Sequence, residues 1–222
     1  MEIYTLVVNP LGENTLVAEC GGGKCVVIDP GFYSGAEQDK VMNCISRHGL
    51  EPVAVLLTHT HADHIFGVAE TQRRFGIPVY VGEADAPRPC GDDMTRWLGL
   101  RSVDTSFTLT PVSDGDLIPA GECSFRVIGT PGHTPGSVCY YEESLGVLFT
   151  GDTLFAGTIG RTDLPGGDYD AEIKSVMEKL MALDSGVEIH PGHGIPSTIG
   201  HERMCNPFLE PFNEKEEYDG ND

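Results

Sequence analysis

The sequence predicts a mixed α/β fold built from many short strands, because strand-like runs followed by a helical pattern occur twice along the chain. The strand-like runs are apolar and rich in β-branched residues, whereas the helical stretches carry apolar residues every three or four positions. The 28 glycines and 15 prolines among 222 residues exceed the usual combined share of about 12%. This excess fits short strands joined by tight turns.

The first part of the chain predicts strands at residues 3–8, 15–19 and 24–28, followed by a helix at residues 36–48. Val41, Ile45 and His48 fall on one face of this helix, which indicates that the face is buried. Gly49 follows directly and supplies the stop, because glycine readily adopts the left-handed conformation that ends many helices.

The second part alternates in the same way. The predicted elements are a strand at 53–57, a helix at 65–75 that Gly76 ends, and a short strand at 78–81. Strands resume between residues 107 and 149, including runs at 124–128 and 146–150. An amphipathic helix at 171–183, a strand at 187–190 and a last helix at 201–206 complete the pattern.

The most informative segment covers residues 58–64 and reads THTHADH, directly after the apolar strand at 53–57. Four polar groups at the end of a buried strand are costly unless something binds them, and imidazole nitrogens and carboxylate oxygens are ligands of zinc and similar ions. His59 and His61 are two residues apart, so an extended segment points both the same way. Asp63 and His64 face elsewhere, which suits a second metal ion.

Further histidines and aspartates follow strand-like runs at turns rich in glycine or proline. They are His133 in GTPGHTPGS, Asp152 in FTGDTLF and His193 in HPGHG. Glycine and proline let the backbone turn tightly and present a side chain. One such residue would be ordinary, but several strand ends that carry only histidine and aspartate indicate a shared metal centre.

These motifs, together with GTIGRTDLPGGD at residues 157–168, resemble those of the metallo-β-lactamase superfamily. Within it the similarity is to short hydrolases of the glyoxalase II (hydroxyacylglutathione hydrolase) type, and it extends from the first strand to about Leu209. The resemblance implies a four-layer αββα sandwich in which both halves of the chain contribute ligands to one edge.

The resemblance also implies a role for each candidate ligand. His59, His61 and His133 would hold the first metal ion, and Asp63, His64 and His193 the second. Asp152 would bridge the two ions through one carboxylate. Zinc is the expected metal, with iron or manganese as alternatives, because histidine and aspartate without a thiolate suit all three.

The implied activity is hydrolysis of a thioester, in which a hydroxide held by two metal ions attacks the scissile carbonyl. Asp63 would orient the attacking water or accept its proton. Asp29, at the end of the third strand, would orient a ligand side chain through hydrogen bonds. An ordinary turn is the alternative explanation for Asp29.

Several other activities are alternatives. A persulfide dioxygenase with a single iron is favoured by the run at residues 160–163 but would leave the second set of ligands without a role. A lactone or β-lactam hydrolase is another, although lactam-cleaving members often have cysteine where Asp152 stands. A flavin-linked di-iron oxidoreductase would have glutamate in place of His61. A non-enzymatic metal-binding protein is the last alternative. It is disfavoured because such a protein would keep mutually repelling carboxylates together without a catalytic need for them.

Composition restricts the partners and the compartment. The chain has 14 Lys plus Arg against 34 Asp plus Glu, a formal net charge of −20, which argues against nucleic acid because phosphates require a basic surface. A small-molecule substrate is expected instead. We expect a cytoplasmic protein without a membrane partner, because no apolar run could span a bilayer and residues 1–4 lack the basic residues of a secretory signal.

The length of 222 residues allows one sizeable core, and we expect one domain over residues 1–210 followed by an acidic tail over 211–222. Full-length glyoxalase II enzymes bind glutathione through a helical region for which too few residues follow His193. Arg88, Arg96, Trp97 and Arg101 provide a substitute, and we hypothesise that they bind a substrate carboxylate. An ordinary surface loop is the alternative. Arg161 matches a basic residue of the family, whereas Asp163 replaces an aromatic one.

Overall fold

Two six-stranded sheets lie at the centre of the structure, a computed structural model that describes residues 1–87, 95–96 and 99–210. Arg88, Trp97 and the expected tail at 211–222 lie outside the described residues. The first sheet contains, in spatial order, β1 (Ile3–Val8), β2 (Glu13–Glu19), β3 (Lys24–Ile28), β4 (Glu51–Leu57), β5 (Val79–Gly82) and β6 (Thr110–Val112). Strands β1 to β3 pair antiparallel, and β3 to β6 pair parallel.

The second sheet follows in sequence. Its strands are β7 (Leu117–Ala120), β8 (Cys123–Gly129), β9 (Val138–Glu142) and β10 (Val147–Gly151), then, after a small hairpin of β11 (Leu154–Phe155) and β12 (Thr158–Ile159), β13 (Glu188–Pro191) and β14 (Ser197–Thr198). The spatial order is β14-β13-β10-β9-β8-β7. Only β10 and β13 pair parallel in this sheet; the other pairs are antiparallel.

Helices cover the outer faces of both sheets. They are α1 (Gly35–Arg47), α2 (Ala62–Ile65), α3 (Val68–Phe75), α4 (Tyr169–Ser175), which continues into a π-helical turn at Val176–Leu180, and α5 (Ile199–Cys205). Among the described residues, no helix is long and apolar enough to cross a membrane.

The alternation of side chains along β3 and β10 explains the layers. Val26 of β3 and Phe149 of β10 pack in one apolar cluster between the two sheets. Val27, the next residue along β3, packs against α1 on the opposite face. Leu148, the residue before Phe149, packs against α4 together with Ile173. Because each strand has two buried faces, helices must cover both outer sides. The expected four-layer αββα sandwich is confirmed.

The helix predicted at residues 65–75 was wrong in one respect, since the structure has two helices, α2 and α3, in this region. The amide of Gly67 leaves the helical ladder and donates to the carbonyl of Pro30 at 2.7 Å. A Cβ at Gly67 would lie 2.5 Å from the Phe32 ring, so only glycine fits at this break. Gly76 ends α3 in the left-handed region (φ 65°), as predicted.

The boundaries of α1 and α4 also differ from the prediction. Helix α1 ends at Arg47, and His48 is exposed and stacks on Tyr4 with ring centroids 4.1 Å apart, so it does not belong to the buried face. Helix α4 begins at Tyr169, because the side chain of Asp168 accepts a hydrogen bond from the amide of Ala171 at 3.0 Å and caps the helix.

Candidate metal centre

The seven candidate ligands meet at one edge of the sandwich. Each follows the carboxyl end of a strand: β4 is followed by His59, His61, Asp63 and His64, β8 by His133, β10 by Asp152, and β13 by His193. One sheet therefore supplies the first four residues and the other sheet supplies the remaining three. The structure brings every predicted ligand into the same cluster.

The first set comprises His59, His61 and His133, whose ligand nitrogens all lie within 4.8 Å of one another. Nδ1 of His61 is 2.8 Å from Nε2 of His133. His61 has extended backbone angles (φ −64°, ψ 151°) immediately before α2, which places it on the same side as His59. All three side chains are buried.

The second set comprises Asp63, His64 and His193, and these ligand atoms also lie within 4.8 Å of one another. Oδ2 of Asp63 is 3.3 Å from Nε2 of His193 and 3.9 Å from Nε2 of His64. Asp63 and His64 lie on the single turn of α2. The prediction that both face away from His59 was wrong for His64, because the two rings adjoin with centroids 4.1 Å apart.

Asp152 lies between the two sets. Its Oδ1 is 3.4 Å from Nε2 of His64, while its Oδ2 is 3.6 Å from Nε2 of His133 and 3.7 Å from Nε2 of His193. Gly151 directs it there with a left-handed conformation (φ 49°), and a Cβ at this position would lie 2.2 Å from Oγ1 of Thr58. One carboxylate thus contacts members of both sets.

Hydrogen bonds on the outer nitrogens fix the orientation of three of these rings. Nδ1 of His64 donates to Oδ2 of Asp29 at 3.0 Å, and Nδ1 of His133 donates to the carbonyl of Arg161 at 2.7 Å. Nδ1 of His59 lies 3.1 Å from Oγ1 of Thr58. With Nδ1 occupied in each ring, Nε2 carries the lone pair and points into the cluster, the usual arrangement of metal-binding histidine.

These residues fit a metal ion by an independent criterion. Nε2 of His59, Nε2 of His64 and Oδ1 of Asp152 are buried and have no hydrogen-bond partner among the described residues. The 3.4 Å contact between the last two atoms is an ion pair without hydrogen-bond geometry. Unpaired buried polar atoms cost roughly 1–3 kcal/mol each, and divalent metal ions would satisfy all three.

Electrostatics differs between the two sets. Burial lowers the pKa of His59 well below its usual value and that of His61 to about 4, so both rings are neutral and can lend a lone pair. Burial also opposes a charge on His64, but Asp152, Asp63 and Asp29 outweigh it and raise the pKa of this ring. The carboxylates around His64 therefore favour positive charge at this ring.

Asp29 makes the hydrogen bonds expected of an orienting residue. Besides the bond from His64, its Oδ1 accepts from the amide of Thr58 at 2.8 Å and its Oδ2 accepts from the Thr58 hydroxyl at 2.6 Å. The residue is buried and has a positive φ of 46°. Asp29 thus ties the end of β3 to the loop after β4.

Sequence reasoning missed Asp85, which lies three residues beyond the end of β5. This carboxylate is 6% exposed and accepts hydrogen bonds from the amide of Thr60 at 3.2 Å, the hydroxyl of Thr134 at 2.9 Å and the amide of Gly136 at 2.8 Å. It therefore joins the loop of His59 and His61 to that of His133. Its position after a strand at the ligand edge was the available signal.

Glu172 of α4 was also missed. Its Oε2 accepts a hydrogen bond from the amide of His133 at 2.8 Å, and burial raises the pKa of this carboxyl to about 8. A Cβ at Gly132 would lie 2.3 Å from the Cα of Glu172, so the loop packs directly on the helix. Nothing in the local sequence distinguishes this glutamate from others on an amphipathic helix.

The two described arginines of the middle segment are placed differently. The guanidinium of Arg101 lies 4.8 Å from the ring centroid of Tyr33 and 5.9 Å from that of Phe66. Arg96 is exposed. The hypothesis that these residues bind a substrate carboxylate stays a prediction.

Comparison with known proteins agrees with this geometry. Residues 8–193 match the model of the metallo-beta-lactamase superfamily. Hydroxyacylglutathione hydrolase GloC of Haemophilus influenzae is 32% identical over 213 residues, which cover 94% of this chain and 98% of that protein.

Two solved structures are similar over nearly their whole length. BLEG-1 B3 metallo-beta-lactamase is 36% identical with a TM-score of 0.84, covering 94% of this chain and 99% of that one. TTHA1623 in a di-iron-bound form is 37% identical with a TM-score of 0.82, covering 93% and 100%. A family match over most of the chain, combined with a cluster of metal-binding groups, supports an enzyme with a metal site. The chain belongs to the metallo-β-lactamase superfamily.

Proposed function

We propose that this protein is a metal-dependent hydrolase that cleaves thioesters, of the hydroxyacylglutathione hydrolase type. The observation that carries the proposal is the set of buried, unpaired atoms of His59, His64 and Asp152 at the point where all the candidate ligands converge. The similarity to GloC over 94% of the chain supports the thioester as substrate class.

We assign two divalent ions to the site, with zinc as the expected metal. His59, His61 and His133 would hold the first, Asp63, His64 and His193 would hold the second, and Asp152 would be shared by both. When bound, the ions lower the pKa of water and act as Lewis acids on the scissile carbonyl. The di-iron form of TTHA1623, 37% identical, supports two ions and makes iron the alternative metal.

Asp63 has a second task in this proposal. Its carboxylate, 3.3 Å from Nε2 of His193, orients the attacking water and accepts its proton. The amide of the Asn9 side chain donates to the backbone carbonyl of Asp63 at 2.9 Å and to that of Gly31 at 3.0 Å, which holds α2 against the end of β3. These hydrogen bonds fix the backbone of Asp63 and thereby the position of its carboxylate.

Hydrolysis of β-lactams is the second candidate, because BLEG-1 B3 metallo-beta-lactamase is 36% identical over 94% of this chain. The same ligands would serve an attack on an amide carbonyl. Lactam-cleaving members often have cysteine at the position of Asp152. The carboxylate at this position therefore favours a thioester as the substrate.

We also propose that residues 1–210 form one domain and that the protein acts in the cytoplasm. The six cysteines among the described residues are all free thiols, which fits a reducing compartment.

The test combines metal content with activity of the protein as purified. We expect about two divalent ions per chain and hydrolysis of S-lactoylglutathione or of thioesters of other thiols. Nitrocefin hydrolysis without thioester hydrolysis would favour the second candidate. A single iron, oxygen uptake on glutathione persulfide and no hydrolysis would contradict the proposal.

A further inference from the structure

A groove of about 450 Å³ borders His193. Its lining consists of Phe155, Ala156, Thr158, His193, Gly194 and Ile195. Apart from the imidazole, no side chain in this lining can carry a charge, and most of the surface is hydrocarbon. The groove therefore adjoins the candidate metal centre but has a different chemistry from it.

Two large apolar side chains make the groove hydrophobic. Ile195 is 70% exposed on the loop that carries His193. Phe155 is partly exposed, and its ring centroid lies 6.4 Å from that of His193, so the imidazole is the wall shared by groove and metal centre. A single exposed isoleucine is unremarkable on a protein surface. Here it lines the same groove as a phenylalanine, beside the candidate metal centre.

Positive charge in this region is already compensated. Arg161 is the only basic residue in the sequence between Asp152 and Asp168. Its Nε and Nη2 donate to the two oxygens of Asp163, both at 2.8 Å. This two-point pairing engages the Nε–Nη2 edge of the guanidinium and places a compensating carboxylate beside it, which weakens its attraction for a substrate carboxylate. The formal net charge of −20 further disfavours an anionic group in the groove.

We propose that this groove binds an uncharged, apolar substituent of the substrate, alkyl or aryl, next to the carbonyl that is hydrolysed. The preferred substrates are then thioesters whose substituent in this groove is hydrophobic rather than charged. This inference rests on the proposed function, because His193 as a metal ligand places the groove beside the reaction. The substituent belongs to the acyl group or to the thiol, and the experiment separates these sources.

The first measurement is binding without turnover. Isothermal titration of the zinc-loaded protein with ethanethiol, butanethiol and hexanethiol should give an affinity that rises about two- to fourfold per methylene. The anion 3-mercaptopropionate, close in size to butanethiol, should bind at least about tenfold more weakly than butanethiol. An affinity that does not change with chain length, or a preference for the anion, would overturn the proposal.

Variants test whether the alkyl chain of the thiol binds in this groove. Ile195→Asn replaces the hydrocarbon side chain by a smaller amide, and we expect the dependence of affinity on chain length to flatten. Leu117→Asn is the matched control, because Leu117 is 64% exposed but lies on β7, at the sheet edge farthest from β13 and β14. Retention of the full chain-length dependence in Ile195→Asn would remove this groove as the binding site.

Hydrolysis identifies the source of the substituent. One thioester series lengthens the acyl chain on N-acetylcysteamine, and the other lengthens the thiol on a fixed acetyl group; kcat/KM should rise in one of them. If neither series is cleaved but the thiols still show the chain-length dependence, the proposed function fails and the groove stands. If thioesters are cleaved but thiol affinity is flat, the groove alone fails.

Discussion

At the scale of single residues, Asp152 is the carboxylate between the two sets, with contacts to His64 on one side and His133 on the other. Replacing Asp152 by Asn keeps the size but removes the charge that both ions would share. We expect metal content to fall to about one ion per chain or less, and kcat/KM to fall about 100-fold or more.

Elemental analysis and thioester hydrolysis, measured on the same preparation, test this prediction. Asp39→Asn removes an exposed carboxylate of α1 and is the control. Unchanged metal content and activity in the Asp152 variant would rule out the shared-ligand role.

Asp85 acts through the backbone of its neighbours. Its carboxylate accepts three hydrogen bonds that tie together the loops of the first ligand set. In Asp85→Asn the side-chain NH2 replaces an acceptor oxygen and faces groups that also donate. We therefore expect about 10–100-fold weaker binding of the metal ion at the first ligand set, while the second ion is retained. We also expect a loss of about 1–3 kcal/mol in the free energy of unfolding.

Stepwise chelator competition on cobalt-substituted protein distinguishes a positioning role from a merely structural one. The matched control is Asp184→Asn, since Asp184 also accepts a backbone hydrogen bond, from Gly186 at 2.7 Å, but on a remote loop. Equally weaker binding of both ions, or unchanged binding of both, would argue against a specific effect on the first set.

At the scale of elements, helix α1 begins with a capping box in which Ser34 and Glu37 bond each other's backbone amides. Partial burial disfavours the charged form of Glu37, but the amides of Ser34, Tyr33 and Asn9 outweigh it and lower its pKa. A lowered pKa stabilises the fold above the ordinary glutamate value, about 4.3. The stabilisation is lost as the pH falls through the lower pKa of the folded state.

We therefore expect Glu37→Gln to be less stable than the wild type at pH 7, and the difference between them to shrink below about pH 4. Urea unfolding over this pH range measures it. Ser34→Ala should cost about 0.5–2 kcal/mol. A difference between Glu37→Gln and wild type that does not change with pH would show that the charge is irrelevant.

Local patterns predicted most elements well, because the period of apolar residues reports burial directly. The strands at 3–8 and 24–28 match the structure. The break between α2 and α3 was missed because Gly67 is tolerated in a helical pattern, and its true constraint is the distant ring of Phe32. Such long-range contacts leave no mark on the local periodicity.

At the scale of the molecule, the ligand set was accessible from sequence because each ligand follows a strand at a turn. The carboxylates behind the ligands were less accessible. Asp85 is an acid after a short strand, and its role emerges only when β5 lies beside β4 and faces the loop of His133. The groove beside His193 likewise combines residues from the hairpin of β11 and β12 with the loop after β13.

Metal removal should affect the whole fold, because carboxylates and unpaired nitrogens would remain buried at the seam of the two sheets. With free metal at about 100 times its dissociation constant, binding adds about 2.7 kcal/mol to stability, so we expect a chelator to lower Tm by roughly 5–10 °C. Calorimetry before and after chelation, with recovery on adding zinc, tests this. An unchanged Tm would mean that the ions are absent from the native protein.

Each sheet is formed by one continuous part of the chain, so the protein could be divided into two fragments that each contain one sheet. Strands β1 to β6 all precede β7 to β14 in the chain, and the exposed turn at Asp114 and Gly115 joins them. Fragments 1–114 and 115–222 would each carry one share of the ligands, so co-expressed fragments should reassemble through the apolar interface and do so more tightly with zinc. The ions would then act as a chemical inducer of dimerisation, and recovery of hydrolysis would report it.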